Sequence, residues 1–134
     1  MREILFRAKI KTDNTQYKKD DWVQGDYVRI IDGKRFIPHI YSKGEIIENT
    51  ISQYTGLTDK NGKKIFEGDI VKAQDDVYGS PFYYGIVGKV VYNETAFFIE
   101  TANIIDSQYL FNECAVYEVI GNIHDNPELM RGEK

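Results

Sequence analysis

The sequence predicts a mostly β protein, with short strands in antiparallel meanders and at most one or two short helices. Segments rich in β-branched and aromatic residues alternate with Gly and Asx turn signals, helical periodicity is nearly absent, and 13% of the residues are aromatic. The 134 residues can bury a core without disulfides or metal. We expect a single compact domain over residues 1–134. The alternative is an N-terminal β subdomain (1–55) packed on a small-barrel-like part (56–126).

The first strand is predicted over residues 4–10, where every second residue is apolar: Ile4, Phe6, Ala8 and Ile10. Residues 11–21 are polar without periodicity, which is typical of an exposed loop.

A hairpin follows, formed by residues 22–31 and 35–41. The two segments meet at Asp32-Gly33, a dipeptide that tolerates the positive φ angles of a tight primed turn. Pro38 places the second segment at a sheet edge, because proline has no N–H for a neighbouring strand.

Residues 50–55 predict another strand, and Asn61-Gly62 is the strongest short turn signal in the chain. We expect a primed turn there, with Ile65 and Phe66 pointing into a core.

Residues 68–73, 85–92 and 96–100 predict a three-strand meander, similar to part of a small Src homology three barrel. Residues 104–116 fit either a strand or a short helix, capped by Asp106 or Ser107 and carrying Tyr109, Leu110 and Cys114.

The last elements are a strand over residues 117–123 and a final helical turn. Asn126-Pro127-Glu128 places a capping side chain, a first-turn proline and a first-turn acid in the favoured order.

Three segments resemble the YopX family of phage and prophage proteins. They are MREILFRA (1–8), QYTGLTDKNGKKIFEGDIV (53–71) and VIGNIHDNPEL (119–129). The resemblance implies a small, largely β protein encoded by a phage or prophage and working in the cytoplasm of a bacterial host. It implies no assigned activity.

The composition limits the classes of function. A formal charge of −4 opposes general attraction to nucleic-acid phosphates. One Cys and two His cannot supply a closed zinc site, and the N-terminus has no apolar segment long enough for a signal peptide. We therefore expect no metal, no cofactor and no membrane contact.

The central segment has a structural and a functional interpretation. Gly56 and Gly62 supply turns, while Asp59 and Asn61 bond to nearby backbone. Alternatively, the exposed tip is a contact surface made by four residues: Tyr54, Lys60, Lys63 and Lys64. Tyr83 and Tyr84 add a second surface, because adjacent residues of an extended segment face opposite ways and one must point outward.

No catalytic constellation is recognisable. The carboxylate pairs Glu67/Asp69 and Asp75/Asp76, the bases His39 and His124, and the thiol of Cys114 each have a simpler structural explanation. The expected function is a non-enzymatic binding or assembly module that forms a homo-oligomer and contacts an unknown phage or host protein. The alternative is a nucleic-acid-binding small β-barrel in phage replication or regulation, which requires lysines gathered on one face with an aromatic among them.

Overall fold

The structure is a computed structural model that describes residues 3–13, 16–38, 43–74, 85–93, 96–101, 108–109 and 116–131. These residues are mostly β, and every strand pair whose register is described is antiparallel, which confirms the predicted fold class. The chain divides into two compact units, Met1–Gly56 and Leu57–Lys134. A single domain over the whole chain stays a prediction. None of the described helices is long and apolar enough to cross a membrane.

The first unit contains two groups of strands and one short 3-10 helix. Its elements are β1 (Phe6–Lys9), β2 (Trp22–Gly25), β3 (Arg29–Ile31), β4 (Lys34–Pro38), β5 (Lys43–Glu45), the 3-10 helix Glu48–Thr50 and the start of β6 (Ser52–Thr58). Strand β1 lies between β2 and β6, and β4 lies between β3 and β5.

The core of this unit contains Ala8 of β1 and Ile10, which follows β1. Both are buried together with Val23, Ile37 and Ile46. Ile4 departs from the predicted alternation, because the strand begins only at Phe6 and the Ile4 side chain is 61% exposed.

The predicted turn at Asp32-Gly33 is confirmed. Both residues have positive φ, +50° and +76°, as a two-residue type I′ turn requires. The segment before the turn is two strands rather than one, since β2 pairs with β1 and β3 pairs with β4.

The edge position predicted for the strand containing Pro38 is wrong. Strand β4 is the central strand of its sheet. Pro38 is its last residue, opposite Lys43, so the missing N–H falls at the end of the ladder, where it interrupts nothing.

The second unit is built on a five-stranded sheet. After the end of β6 come β7 (Lys64–Phe66), β8 (Asp69–Gln74), β9 (Ile86–Asn93), β10 (Ala96–Thr101), β11 (Gln108–Tyr109), β12 (Val116–Asn122) and the 3-10 helix Pro127–Arg131. The sheet order is β11-β10-β9-β8-β12, so β8, β9 and β10 form the predicted meander. Ile65, Phe66, Ile70 and Val71 are buried as predicted.

The short helix considered for residues 104–116 is wrong where the structure describes that segment. Tyr109 lies in strand β11, opposite Phe98 of β10. Leu110 and Cys114 lie outside the described residues.

The final helical turn is confirmed as the 3-10 helix Pro127–Arg131. The side chain of Asn126 does not cap it and instead accepts a hydrogen bond from the backbone N–H of Asn122 at 3.3 Å. Gly121 makes this possible, because a Cβ atom there would lie 2.6 Å from Asn126 Oδ1.

Candidate functional site

The loop of residues 59–63 joins β6 to β7 and contains the most recognisable part of the sequence. The N–H of Gly62 donates to the carbonyl of Asp59 at 3.0 Å, and the N–H of Asp59 donates to the carbonyl of Lys63 at 2.7 Å. Gly62 has a φ of +79°, whereas Asn61 is not among the residues with positive φ. Asp59 and Lys63 are thus joined by a backbone hydrogen bond, and the three residues between them make the connection, with Gly62 in the left-handed conformation as the last of the three. The two-residue primed turn predicted at Asn61-Gly62 is therefore wrong.

The carboxylate of Asp59 determines this geometry. Its Oδ1 accepts the backbone N–H groups of Asn61 and Lys63, each at 2.9 Å. Its Oδ2 accepts the N–H of Val119 in β12, also at 2.9 Å. The side chain is only 7% exposed. One carboxylate thus shapes the loop and attaches it to a strand 60 residues away in sequence.

A second bond fixes the loop to the same strand, because the N–H of Lys60 donates to the carbonyl of Tyr117 at 2.9 Å. Strand β12 is the end strand of the five-stranded sheet, and β8 is its only neighbour within that sheet. The loop therefore covers part of an edge that would otherwise offer unpaired backbone groups.

The environment of Asp59 also changes its titration. Burial alone raises the pKa of the carboxyl, but the N–H groups of Val119, Lys63 and Asn61 and the charge of Lys63 outweigh burial and lower the pKa below its ordinary value of 3.8. The ionised form is therefore the stable one in the folded protein.

The residues of the predicted contact surface differ in exposure. Tyr54 is only 6% exposed, so its side chain does not lie on an exposed tip. Lys63 is exposed, and Lys64 is half-buried in β7. Tyr83 and Tyr84 lie outside the described residues.

Lys60 lines a cleft of about 250 Å³ in the second unit, together with Lys72, Gln74, Val116, Tyr117 and Glu118. Its ammonium group lies 3.7 Å from the carboxylate of Glu118, which is directly opposite Lys72 in the sheet. Acidic residues thus separate the lysines here, and Lys89 likewise pairs with Glu100 at 3.5 Å. Within the described residues, the positive charges of Lys60 and Lys89 are thus partly offset by acidic neighbours.

Two catalytic candidates within the described residues, Asp69 and His124, make local hydrogen bonds. Asp69 is 1% exposed, and its Oδ2 accepts the N–H of Phe66 at 2.8 Å across the turn at Gly68. The N–H of His124 donates to Asn122 Oδ1 within a local turn. No group of three metal-binding side chains is present among the described residues. His39, Asp75, Asp76 and Cys114 lie outside them.

A different surface, which the sequence analysis did not identify, lies in the first unit. We call it the β3 edge and define it as Tyr27, Arg29, Ile30 and Ile31. Ile30 is 61% exposed, Ile31 is 40% exposed and Tyr27 is 46% exposed. The guanidinium of Arg29 lies 6.0 Å from the centre of the Tyr27 ring.

Two geometrical facts make the β3 edge unusual. Successive side chains of a strand point to opposite faces, so the exposure of both Ile30 and Ile31 means that both faces of β3 are accessible to solvent. Strand β3 is also the end strand of its sheet, with β4 as its neighbour. The described chain therefore presents a bare strand edge flanked by large apolar side chains.

Two solved structures are similar to this chain. The crystal structure of protein yopX from Bacillus subtilis matches with a TM-score of 0.58 and 18% identity, covering 96% of this chain and 98% of that one. The crystal structure of protein EF1440 from Enterococcus faecalis matches with a TM-score of 0.45 and 25% identity, covering 97% and 99% of the two chains. No curated protein sequence matches this one. The family model for YopX protein matches residues 5–131, and the chain therefore belongs to the YopX family.

Proposed function

We propose that this protein is a phage- or prophage-encoded binding or assembly module that works without catalysis in the cytoplasm of its bacterial host. Its partners are a second copy of the chain and an unidentified phage or host protein. The phage origin and the location rest on what the YopX resemblance implies. The binding role rests on the β3 edge.

The observation that carries the proposal is the simultaneous exposure of Ile30 and Ile31, at 61% and 40%, on an end strand. An isoleucine side chain gains about 1.5–3 kcal/mol when it moves from full exposure to full burial. The free edge adds backbone groups that can form hydrogen bonds with another strand. The surface therefore offers both apolar area and directional bonds to a protein partner.

Affinity capture tests the proposal directly. Tagged wild-type protein and the Ile30→Glu variant are expressed in prophage-induced cells, and retained proteins are quantified by mass spectrometry. Ile4→Glu is the matched control, because Ile4 is the same residue type with the same 61% exposure and lies before β1. Circular dichroism confirms that all three chains fold.

The proposal predicts at least one protein, a second copy of the chain included, that the wild type and Ile4→Glu retain in stoichiometric amounts and Ile30→Glu loses. Identical retention by all three chains contradicts it, and so does the absence of any stoichiometric partner.

A further inference from the structure

We infer that Asn61 is a site of spontaneous deamidation, and that the folded loop of residues 59–63 blocks the reaction through the hydrogen bonds of Asp59. The inference concerns a covalent modification of the chain and does not depend on the β3 edge. It rests on one dipeptide of the sequence, on the exposure of that dipeptide and on the backbone hydrogen bonds around it.

The dipeptide Asn61-Gly62 is the only place where one of the eight asparagines of the chain precedes a glycine. In deamidation, the backbone nitrogen of the next residue attacks the side-chain amide carbon of asparagine. Glycine hinders this approach least, because it has no side chain. Asn61 and Gly62 are both exposed, and no heavy atom beyond the chain neighbours lies within 4 Å of the position of a Cβ atom on Gly62. Water and hydroxide therefore reach the reacting groups.

The reaction exchanges ammonia for water in two steps. Hydroxide removes the N–H proton of Gly62, and the nitrogen forms a bond to Cγ of Asn61. The bond from Cγ to Nδ2 then breaks, and Nδ2 takes up a proton and leaves as ammonia. Water opens the resulting cyclic imide at either carbonyl carbon. One opening gives aspartate, and the other gives isoaspartate, whose backbone runs through Cβ and Cγ and is one carbon longer. Nothing is oxidised or reduced.

The folded loop holds the attacking nitrogen in a hydrogen bond. The N–H of Gly62 donates to the carbonyl of Asp59 at 3.0 Å. The N–H groups of Asn61 and Lys63 donate to Oδ1 of Asp59, each at 2.9 Å. Three consecutive N–H groups thus bond to one residue. As in hydrogen exchange, base removes a hydrogen-bonded amide proton only after the bond opens, so deamidation requires the loop to leave Asp59.

Asp59 is itself held in place, so the loop does not open by a shift of its acceptor. Its side chain is 7% exposed, and its Oδ2 accepts the N–H of Val119 in β12 at 2.9 Å. Its own N–H donates to the carbonyl of Lys63 at 2.7 Å. The rate of deamidation therefore reports how often the loop detaches from Asp59.

The isoaspartate product does not fit the closed loop. Its extra backbone carbon lies between the N–H groups of residues 61 and 62, which both donate to Asp59 in the native loop. The new carboxylate also places a negative charge near the buried carboxylate of Asp59. We therefore expect isoaspartate at residue 61 to detach the loop from β12.

Peptide mapping by mass spectrometry tests the site and its protection in the wild-type chain. The protein is incubated at mildly alkaline pH, folded in buffer and unfolded in guanidinium chloride. We expect conversion at Asn61 in both samples, but at least about 10-fold slower in the folded one, because reaction requires opening. Equal rates overturn the protection, and an unfolded chain that does not convert at Asn61 overturns the site.

The role of Asp59 is tested with Asp59→Asn, which we expect to raise the folded-state rate at least about 10-fold. Gly88→Ala is the control for general destabilisation, because Gly88 lies in β9 of the same unit and takes part in none of the described loop hydrogen bonds. Equal acceleration by the two variants contradicts the role of Asp59.

Hydrogen exchange of the Gly62 amide in the wild type gives a check that needs no variant. Its protection factor is expected to equal the slowing of deamidation within about threefold, because both reactions pass through the same opening. An unprotected Gly62 amide overturns the inference. The purified isoaspartate form is expected to unfold at a lower temperature than Asn61→Asp, which has the same charge on a normal backbone. Equal midpoints contradict the detachment of the loop.

Discussion

Replacement of Asp59 by asparagine tests the most connected side chain of the central motif. The variant keeps the shape of the side chain and one acceptor oxygen, but it replaces the other oxygen with an amide that donates hydrogen bonds. When the remaining oxygen stays on Asn61 and Lys63, the amide faces the N–H of Val119, and two donors oppose each other. The attachment of the loop to β12 is therefore the bond that is lost.

The magnitude follows from the three contacts. A hydrogen bond to a charged group contributes about 1.5–3 kcal/mol, against about 0.5–1.5 kcal/mol for a neutral pair. The variant loses one charged bond at Val119 and converts two others to neutral bonds. We expect the free energy of unfolding to fall by about 3.5–6 kcal/mol. For a chain of this length, the midpoint of thermal unfolding falls by roughly 10–20 °C.

The pH dependence gives a second, independent signature. Because the folded protein lowers the pKa of Asp59, its carboxylate stabilises the fold fully above the unfolded value of 3.8 and loses this contribution as the pH falls below that value. The stability difference between wild type and Asp59→Asn is therefore constant near neutral pH and shrinks in acid below pH 3.8.

Thermal and urea unfolding, followed by far-ultraviolet circular dichroism from pH 7 to pH 3, measure both effects. Trp22 lies in the other unit, so its fluorescence is the poorer probe. Asp21→Asn is the control, because Asp21 is exposed and its carboxylate accepts only one described backbone N–H, from Lys18 at 2.9 Å. A loss below about 0.5 kcal/mol, the range of ordinary surface substitutions, or a loss that does not change with pH, refutes the reasoning.

Three further predictions concern backbone geometry and partner class. Gly62→Val reduces the free energy of unfolding by about 1 kcal/mol or more, because φ is +79° there; chemical denaturation checks this, and an unchanged midpoint contradicts the left-handed loop. Gly88→Ala costs about 1–3 kcal/mol, because a Cβ atom would lie 2.8 Å from the Glu100 carbonyl oxygen; wild-type thermal stability would show that β9 and β10 lie farther apart. Fluorescence anisotropy with random DNA shows no binding tighter than about 10 µM at roughly 150 mM salt, and submicromolar affinity would favour the nucleic-acid alternative.

Turns were predicted correctly from the sequence where only neighbouring residues determine the backbone conformation. Asp32-Gly33 formed the expected primed turn, because both residues tolerate positive φ and nothing distant competes. At Asn61-Gly62 the same reasoning failed. There the carboxylate of Asp59 draws two loop N–H groups to itself and reaches Val119, a partner that no local pattern reveals.

The positions of Pro38 and of the β3 edge could not be predicted from the sequence, because both depend on the order of the strands in the sheet. A proline disfavours a central strand only where its N–H would be needed, and Pro38 lies at the end of its strand. Adjacent isoleucines predict burial on both faces of a strand, whereas Ile30 and Ile31 are exposed on both. Only the sheet order shows that β3 is an end strand.

Hydrogen exchange of the Ile30 backbone amide, measured by NMR at several protein concentrations, tests the central claim most directly. Pairing of the β3 edge predicts that this amide is protected at high concentration and exchanges freely upon dilution, because it then loses its partner strand. Ile31 pairs with Lys34 across the two-residue turn, so its amide faces β4 and is expected to exchange at the same slow rate throughout. An Ile30 amide that exchanges rapidly at every concentration contradicts the claim that the β3 edge is a site of self-assembly.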